Sequence, residues 1–532
     1  MSLVLLLLSA ATGVHHVRVG SHCATTDVGS LTSVTMDICL AKQGFPFGDP
    51  TLLQLTSHLG GGSAILRVGG SDQNSFFYDM ASEKSEPFSA KSGGKCCSHR
   101  GSCHGCANDC TMPQKYWKSI TTFANASGHR LMFGLVPEVD QATALVTHSA
   151  QNGLPVHAFT FGNEKDDAGV IAGYQPLRKL LDDKSLFPAA APLLAGPDVA
   201  MQRHDTIEAA LAGADASIND KLDWVENFTA AVASTLDVVS WHTYDFHSSD
   251  IGVQDHATLQ LTPETERFWS TEYLDMALRL NENITSIARR NAPGADVWLS
   301  ESDSICHQGI DGITNAYLNS VWLVNRLGMM ANANVSVMAR QSLIGYNYSL
   351  LGNWPVEPIK PNPDYYTTVL FKRLFSGTVL KTTVTSSAAT SAATSAAAGG
   401  TAGGRAGNET ARAFAFCAAH GRAGAIALAL VNFDANSPAT FYFGSPSAPI
   451  AVSHREYILS PGGDPVVAGV AWSSREMLLN GEALAMGGPG GAKLPEAVLG
   501  PGRPGRTAGA ATLGPLSVGF VLIDDAANPD CK

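Results

Sequence analysis

The stretch "HAFTFGNEKDD" (157–167) carries an apolar run directly into Asn163-Glu164, and "ADVWLSE" (295–301) delivers Glu301 in the same way. A carboxylate at the end of a buried strand is costly unless it is paired, hydrogen-bonded or used. Two such carboxylates in one place are what glycosidic-bond hydrolysis needs. With the carboxyls roughly 5–5.5 Å apart, one attacks the anomeric carbon while the other protonates the leaving oxygen. Partial burial and a neighbouring carboxylate help the acid member keep its proton. An asparagine just before it, as Asn163 stands here, can hydrogen-bond the sugar 2-hydroxyl. The competing reading is two unrelated surface acids, so the question passes to the elements that position them.

Eight short apolar runs recur between residues 31 and 341. They are "LTSVTMD" (31–37), "AILRVGG" (64–70), "RLMFGLV" (130–136), "HAFTFGN" (157–163), "PLLAGPD" (192–198), "LDVVSWH" (236–242), "ADVWLSE" (295–301) and "VSVMARQ" (335–341). Stretches with helical spacing lie between most of them, such as "QKYWKSITTFANASG" and "ETERFWSTEYLDMALRLNENITSIARR". Strands alternating with helices predict an α/β fold, a (β/α)8 TIM barrel over residues 31–375 with a cysteine-rich insertion at 83–110. An open doubly wound sheet is the alternative, but no G-x-G-x-x-G follows the first strand. Six of the runs end in, or lead straight into, a polar residue: Asp37, Ser71, Asn163-Glu164, Asp198, His242 and Glu301. Barrel enzymes build their sites at the C-terminal ends of the strands. Glu164, ending the fourth strand, and Glu301, ending the seventh, would therefore share one face.

Beyond residue 376 the texture changes. A low-complexity segment at 382–407 reads as a surface insertion. After it come "ARAFAFCAAH", "GAIALALVNF", "ATFYFG" and "SVGFVLID", separated by Gly/Pro-rich turns, which predict an appended C-terminal β-sandwich over 376–532. The alternating segment "VHHVRVG" predicts that residues 14–30 add a strand to it.

Composition sets the class of partner. Acidic residues outnumber basic ones, 47 against 35, for a formal charge of −12, which argues against nucleic acid. The opening "MSLVLLLLSAATG" (1–13) reads as a signal peptide, with a buried N-terminal strand as the alternative; no later segment reaches the length of an integral membrane span. Six N-x-S/T sequons, at Asn125, Asn227, Asn283, Asn334, Asn347 and Asn408, and an even count of ten cysteines agree with export. Secretion, to an extracellular matrix or cell wall, or delivery to a lysosome or vacuole, is the expected destination. In "KCCSHRGSCHGCANDC" (95–110) the C-x-x-C could hold zinc, but in an exported chain disulfides are expected instead. Five cysteines there leave one to pair outside the loop or stay free.

The motifs "TFGNE" and "WLSES" resemble the acid/base and nucleophile motifs of clan A glycoside hydrolases. The ordered series "SVTMD", "LRVGGS", "GNE", "GPDV", "VSWHTY", "WLSES" and "ARQSLIGYNYSLL", closed by "PDYYTTVLFKRLFSGTVL", is similar to glycoside hydrolase family 79, the heparanase and β-glucuronidase family. The resemblance covers nearly the whole chain. It implies Glu164 as acid/base and Glu301 as nucleophile of a retaining, metal-independent hydrolase without a cofactor. Asp37, Ser71, Asn163, Tyr244, Gln341 and Tyr348 would line the sugar subsite, with His242 alongside. His242 could equally be a barrel histidine orienting a neighbour, Tyr244 and Tyr348 packing aromatics, and Asp198 a helix cap or a brace for another residue. A glycan on Asn347, beside Tyr348, would block such a cleft, so that sequon is expected to stay unused. Family members also tie the sandwich together with a disulfide, which implies Cys417–Cys531.

Two departures bear on substrate. Heparan-cleaving members carry a strongly basic cluster after "GPDV", where this chain has "AMQRHDTIEAALAGADASIND". After the nucleophile the family has a Gly-rich loop that offers N–H groups to a uronate, where this chain reads "SDSICHQG", reaching Gly309 only later. The expected partner is a glucuronic-acid-containing oligo- or polysaccharide, a proteoglycan or a glucuronide, rather than a sulfated polyanion. The alternatives are another clan A specificity, for a neutral sugar or endo-action on heparan sulfate, and a catalytically silent glycan-binding matrix protein.

Overall fold

The computed structural model describes residues 13–42, 44–75, 77–81, 89–90, 110–201, 216–247, 263–386, 409–445, 448–449 and 453–532. Nearly all of the expected signal peptide and of the cysteine-rich insertion, the 387–407 part of the low-complexity segment, Asn408 and the stretch 202–215 after "GPDV" lie outside them.

The first strand, β1 (Gly13–Thr25), does not enter the barrel. The barrel strands are β2 (Ser33–Asp37), β3 (Ile65–Gly69), β4 (Arg130–Leu135), β5 (Ala158–Phe161), β6 (Leu193–Ala200), β7 (Val238–Phe246), β8 (Asp296–Ile305) and β9 (Val337–Arg340). All eight run parallel and close in chain order, β9 pairing back onto β2. Each is followed by its helix: α1 (Pro50–Leu59), α2 (Gln114–Ala126), α3 (Val139–Gln151), α4 (Ala168–Leu181), α5 (Ala216–Val232), α6 (Met276–Asn291), α7 (Tyr317–Asn332) and α8 (Pro363–Leu374). This is a (β/α)8 barrel. Three strands outrun their sequence-predicted ends: β6 continues to Ala200, β7 to Phe246 and β8 to Ile305, so Glu301 lies within β8 and does not terminate it.

Inside the barrel, Ile65, Met132, Ala158, Ala195, Val238, Trp298 and Val337 form a buried apolar layer near the strand starts. One strand repeat further on, the same inward face carries Arg67, Thr160, Ser240 and Ser300, all buried. The barrel thus turns from apolar to polar along its axis, towards the strand ends where a site can be built.

Strict alternation would send two of the important acids the wrong way, and two bulges correct this. Trp241 pairs with Leu299 but His242 pairs with Glu301, so Ser300 is an extra residue in β8. Ser240 pairs with Pro197 but Trp241 with Val199, so Asp198 is an extra residue in β6, at φ 53°. A bulge re-aims the side chains after it. Asp198 and Glu301 therefore both face the barrel interior.

The C-terminal domain is a 12-stranded sheet rolled over on itself. Its main path runs β13 (Ala439–Ser445), β1, β10 (Phe375–Ser386), β11 (Ala411–Ala418), β12 (Ile426–Asn432), β15 (Ser517–Ile523) and β14 (Arg455–Pro465). One face encloses a core of Val17, Leu380, Leu428, Phe441 and Val521. The other face packs on the barrel, where Phe371 of α8 meets Phe375, Phe416 and Phe520. Residues 382–386, read from sequence as the start of the insertion, are the end of β10 and pair with β1. Their Thr/Val alternation takes up the ladder that β1 offers. Cys417 is bonded to Cys531, a bridge that spans 114 residues of sequence.

Among the described residues no helix is long and apolar enough to cross a membrane.

Candidate active site

Glu164 follows β5 through Gly162 (φ 79°) and itself adopts a left-handed backbone, at φ 54°. Its N–H donates to the Asp198 carbonyl at 3.0 Å, which fixes the turn to β6. Asn163 is held on both sides by Asn74: its N–H donates to Asn74 Oδ1 at 2.9 Å, and its carbonyl accepts from Asn74 Nδ2 at 2.8 Å. Across the barrel mouth, Glu301 comes in from β8. A carboxylate oxygen of each glutamate and a ring nitrogen of His242 all lie within 4.8 Å of one another.

Arg67, fully buried on β3, ties this constellation together. Its Nη1 donates to Glu301 Oε2 at 2.7 Å, and its Nη2 donates to Asn163 Oδ1 and to Asp198 Oδ2, each at 2.8 Å. Asp198 in turn accepts from Ser300 Oγ at 2.8 Å through Oδ1, and Tyr244 Oη donates to Glu301 Oε1 at 2.5 Å. Every oxygen of Glu301 is thereby bonded to a group that stabilises negative charge.

The electrostatics follow from these contacts. Burial alone would raise the Glu301 carboxyl; the charges of His242 and Arg67 and the Tyr244 hydrogen bond overcome it and leave it below the ordinary range. Burial would also raise Asp198, but Arg67 and His242 hold it far below that range. For His242, burial works to lower the pKa, while Glu301 and Asp198 together lift it to about 9. Its Nδ1–H donates to Glu164 Oε1 at 2.9 Å, and Nε2 faces Asp198 Oδ1 at 3.6 Å. Through these contacts His242 joins Glu164, Glu301 and Asp198 in one charge network.

The remaining sequence candidates cluster beside Glu301. Gln341 follows β9 and donates from Nε2 to Tyr348 Oη at 3.0 Å and to Asp37 Oδ2 at 3.3 Å, while its carbonyl oxygen accepts from Thr35. Burial and the nearby Glu301 and Asp72 charges push Asp37 well above the carboxylate range, so it can act as a donor. Gly70 (φ 98°) makes room for it: a Cβ there would sit 2.0 Å from Asp37 Oδ1. Ser71 opens the short 3-10 helix Ser71–Ser75 and is exposed.

Of the two roles left open for His242, the contacts agree with the orienting one: it is fully buried and its ring is bonded to the Glu164 carboxylate. Asp198 braces Arg67 rather than capping a helix. Arg67 was the residue overlooked, although a lone arginine inside the apolar run "AILRVGG" was itself the signal.

Asn125, Asn227, Asn283 and Asn334 are exposed, whereas Asn347 is half-buried, with its N–H donating to the Gln308 carbonyl at 2.9 Å. Cys39 and Cys110 are disulfide-bonded, and Cys306 keeps its thiol.

Residues 62–328 match the family model described as glycosyl hydrolase family 79, N-terminal domain. Heparanase-like protein 3 of Arabidopsis thaliana is 23% identical over 345 residues, covering 60% of this chain and 57% of that protein. Baicalin-beta-D-glucuronidase of Scutellaria baicalensis is 28% identical over 243 residues, covering 45% and 41%. Inactive heparanase-2 of Homo sapiens is 23% identical over 437 residues, covering 78% and 64%. The chain thus spans little more than half the length of the curated relatives it matches. Among solved structures, a 4-O-alpha-L-rhamnosyl-beta-D-glucuronidase from Fusarium oxysporum 12S superposes with a TM-score of 0.61 at 13% identity, covering 96% of this chain and all 100% of that one. A GH51 arabinofuranosidase from Xanthomonas axonopodis pv. citri gives 0.58 at 12% identity, covering 96% and 99%. These two likenesses concern the fold alone.

Proposed function

The chain belongs to glycosyl hydrolase family 79, and from that premise we propose that it is a retaining glycoside hydrolase acting at β-linked glucuronic acid. The observation that carries this reading is the approach of Glu164 and Glu301 carboxylate oxygens to within 4.8 Å, on one face of the barrel. Inverting enzymes hold their carboxyls roughly 6.5–9.5 Å apart to admit a water, and retaining enzymes about 5–5.5 Å. Glu301, kept ionised by Arg67, His242 and Tyr244, attacks the anomeric carbon and forms a glycosyl ester. Glu164 gives its proton to the departing oxygen, then takes one from the water that cleaves the ester. The sugar leaves with retained configuration and both glutamates return to their starting states.

Glucuronic acid is the proposed sugar because relatives bear the names heparanase and baicalin-beta-D-glucuronidase. The formal charge of −12 supports glucuronides or glucuronic-acid-capped glycans over sulfated chains. One observation favours a neutral β-glycoside instead. Arg67 is committed to Glu301, Asn163 and Asp198, so it is not available to a uronate carboxylate. We further place the protein in the secretory pathway, on the support of the Cys417–Cys531 bridge and four exposed sequons.

The test is hydrolysis of aryl β-glucuronide and aryl β-glucoside by wild type, Glu301→Ala and Glu164→Ala. Glucuronide turnover that vanishes in Glu301→Ala, and returns with azide in Glu164→Ala, is the expected result. Glucoside turnover alone would replace the uronate assignment. Glycan binding without turnover of any substrate, oligosaccharides included, would overturn the catalytic reading.

A further inference from the structure

Just past the active site, the ends of β7 and β8 bring together three side chains that the hydrolytic chemistry does not use: His247, Cys306 and His307. Phe246 and Ile305 are register partners, and the Cys306 N–H donates to the Phe246 carbonyl at 3.1 Å. The residue that follows β7, His247, is thereby set opposite Cys306. The third member arrives by a backbone device. In an extended strand Cys306 and His307 would point to opposite sides. Instead His307, Gln308 and Gly309 take left-handed conformations in succession, at φ 55°, 73° and 70°. The turn brings the His307 ring back, placing its Nδ1 2.9 Å from Cys306 Sγ and its ring centroid 4.6 Å from that of His247. Two successive non-glycine residues in this region are uncommon, and such strain gathers where a site needs it.

We propose that His247, Cys306 and His307 form a binding site for a zinc-class divalent ion at the rim of the cleft. One ligand atom from each, a sulfur and two imidazole nitrogens, lies within 4.8 Å of the other two. In a tetrahedral zinc site the same atoms stand about 3.3–3.6 Å apart, so closure asks for adjustments on the order of 1 Å. Sulfur and imidazole together select zinc, cobalt or copper over calcium or magnesium, which take oxygen. Binding displaces the thiol proton, so the ion arrives as M²⁺ and one H⁺ leaves, and the local charge rises by one. Among the described residues three side chains offer ligands, and water would take the fourth position.

The location gives the ion a lever on the cleft. The turn Cys306–Gly309 supports Tyr348: Asn347 N–H donates to the Gln308 carbonyl at 2.9 Å, and a Cβ on Gly309 would lie 2.9 Å from Tyr348 Cβ. Tyr348 Oη in turn accepts from Gln341, beside Asp37. Clamping the turn fixes this aromatic wall, while the polar network on Glu164 and Glu301 is untouched.

Cobalt(II) titration of the purified full chain tests the site independently of any hydrolysis. The expected result is one ion per chain, with a thiolate-to-cobalt charge-transfer band that zinc abolishes. Cys306→Ser should lose the band, and the exposed His307→Ala should weaken binding at least tenfold while folding normally. Cys23→Ser should change neither. A band that survives in Cys306→Ser, unaltered cobalt affinity in His307→Ala, or no stoichiometric binding by wild type would overturn the proposal.

Discussion

Arg67 meets Asp198 at 2.8 Å with both side chains shut off from solvent, and the same guanidinium holds Glu301 at 2.7 Å. Removing the cation takes from two buried carboxylates the charge that bonds both, leaving His242, Tyr244 and Ser300 to offset them. Arg67→Met is therefore expected to cost about 3–5 kcal/mol of folding stability, the range for breaking a buried pair. Asp198→Asn in the same background should recover part of it, because one of the orphaned charges goes. Chemical denaturation of the two variants beside wild type measures both effects; an unchanged midpoint in Arg67→Met would refute the account.

Tyr244 makes the 2.5 Å hydrogen bond to Glu301 Oε1. A bond to a charged group is worth about 1.5–3 kcal/mol, so Tyr244→Phe should lower kcat/KM by roughly ten- to over a hundredfold. That bond also helps to lower the Glu301 pKa. Without it the pKa rises, and the acid limb of the pH–rate profile should move to higher pH. A uniform loss of rate with an unmoved acid limb would mean that the hydroxyl acts only by packing.

His242 supplies a stability prediction with a definite sign. Its pKa is raised from 6.5 to about 9, so the folded protein holds the proton more tightly than the unfolded chain. The resulting stabilisation is complete below about pH 6.5 and is lost as pH climbs through 9. At about 1.4 kcal/mol per unit, this amounts to a loss on the order of 3 kcal/mol across that window. Denaturation midpoints of wild type should fall more steeply over the window than those of His242→Gln. Equal slopes for the two proteins would contradict the assignment.

Cys417 and Cys531 close a loop of 114 residues. Chain-entropy arguments put such a cross-link at about 4–5 kcal/mol, exerted through the unfolded state. Cys417→Ser should lower the thermal midpoint while reducing agent ceases to have any further effect at this bridge. Because the bridge lies in the sheet domain, the azide rescue of Glu164→Ala should persist in that background below the melting transition.

Much of this architecture could be read from the chain. Eight short apolar runs, six of them with polar exits, gave every barrel strand to within a few residues, because buried parallel strands are apolar on both faces and end where the site begins. Glu164 and Glu301 could be found for the same reason. The bulges at Asp198 and Ser300 could not, since a register shift depends on the neighbouring strands and leaves no trace in composition. His242 was ambiguous because the sequence says nothing of depth within the barrel. Residues 382–386 were hidden by their Ser/Thr-rich surroundings, although their alternation suits a strand.

The seam formed by β1 has a kinetic meaning. His15 bonds to Ser386, 371 positions further along, and the Gly13–Val17 part of β1 pairs with β13 while His15–Thr25 pairs with β10. During synthesis the first strand waits for its partners until the entire barrel has been made. At about 5–20 residues per second that interval is on the order of 20–70 s, during which an unpaired, alternating strand must avoid pairing elsewhere. Closing the C-terminal sheet therefore joins β1 to strands that lie far along the chain, a non-local pairing of the kind that slows folding.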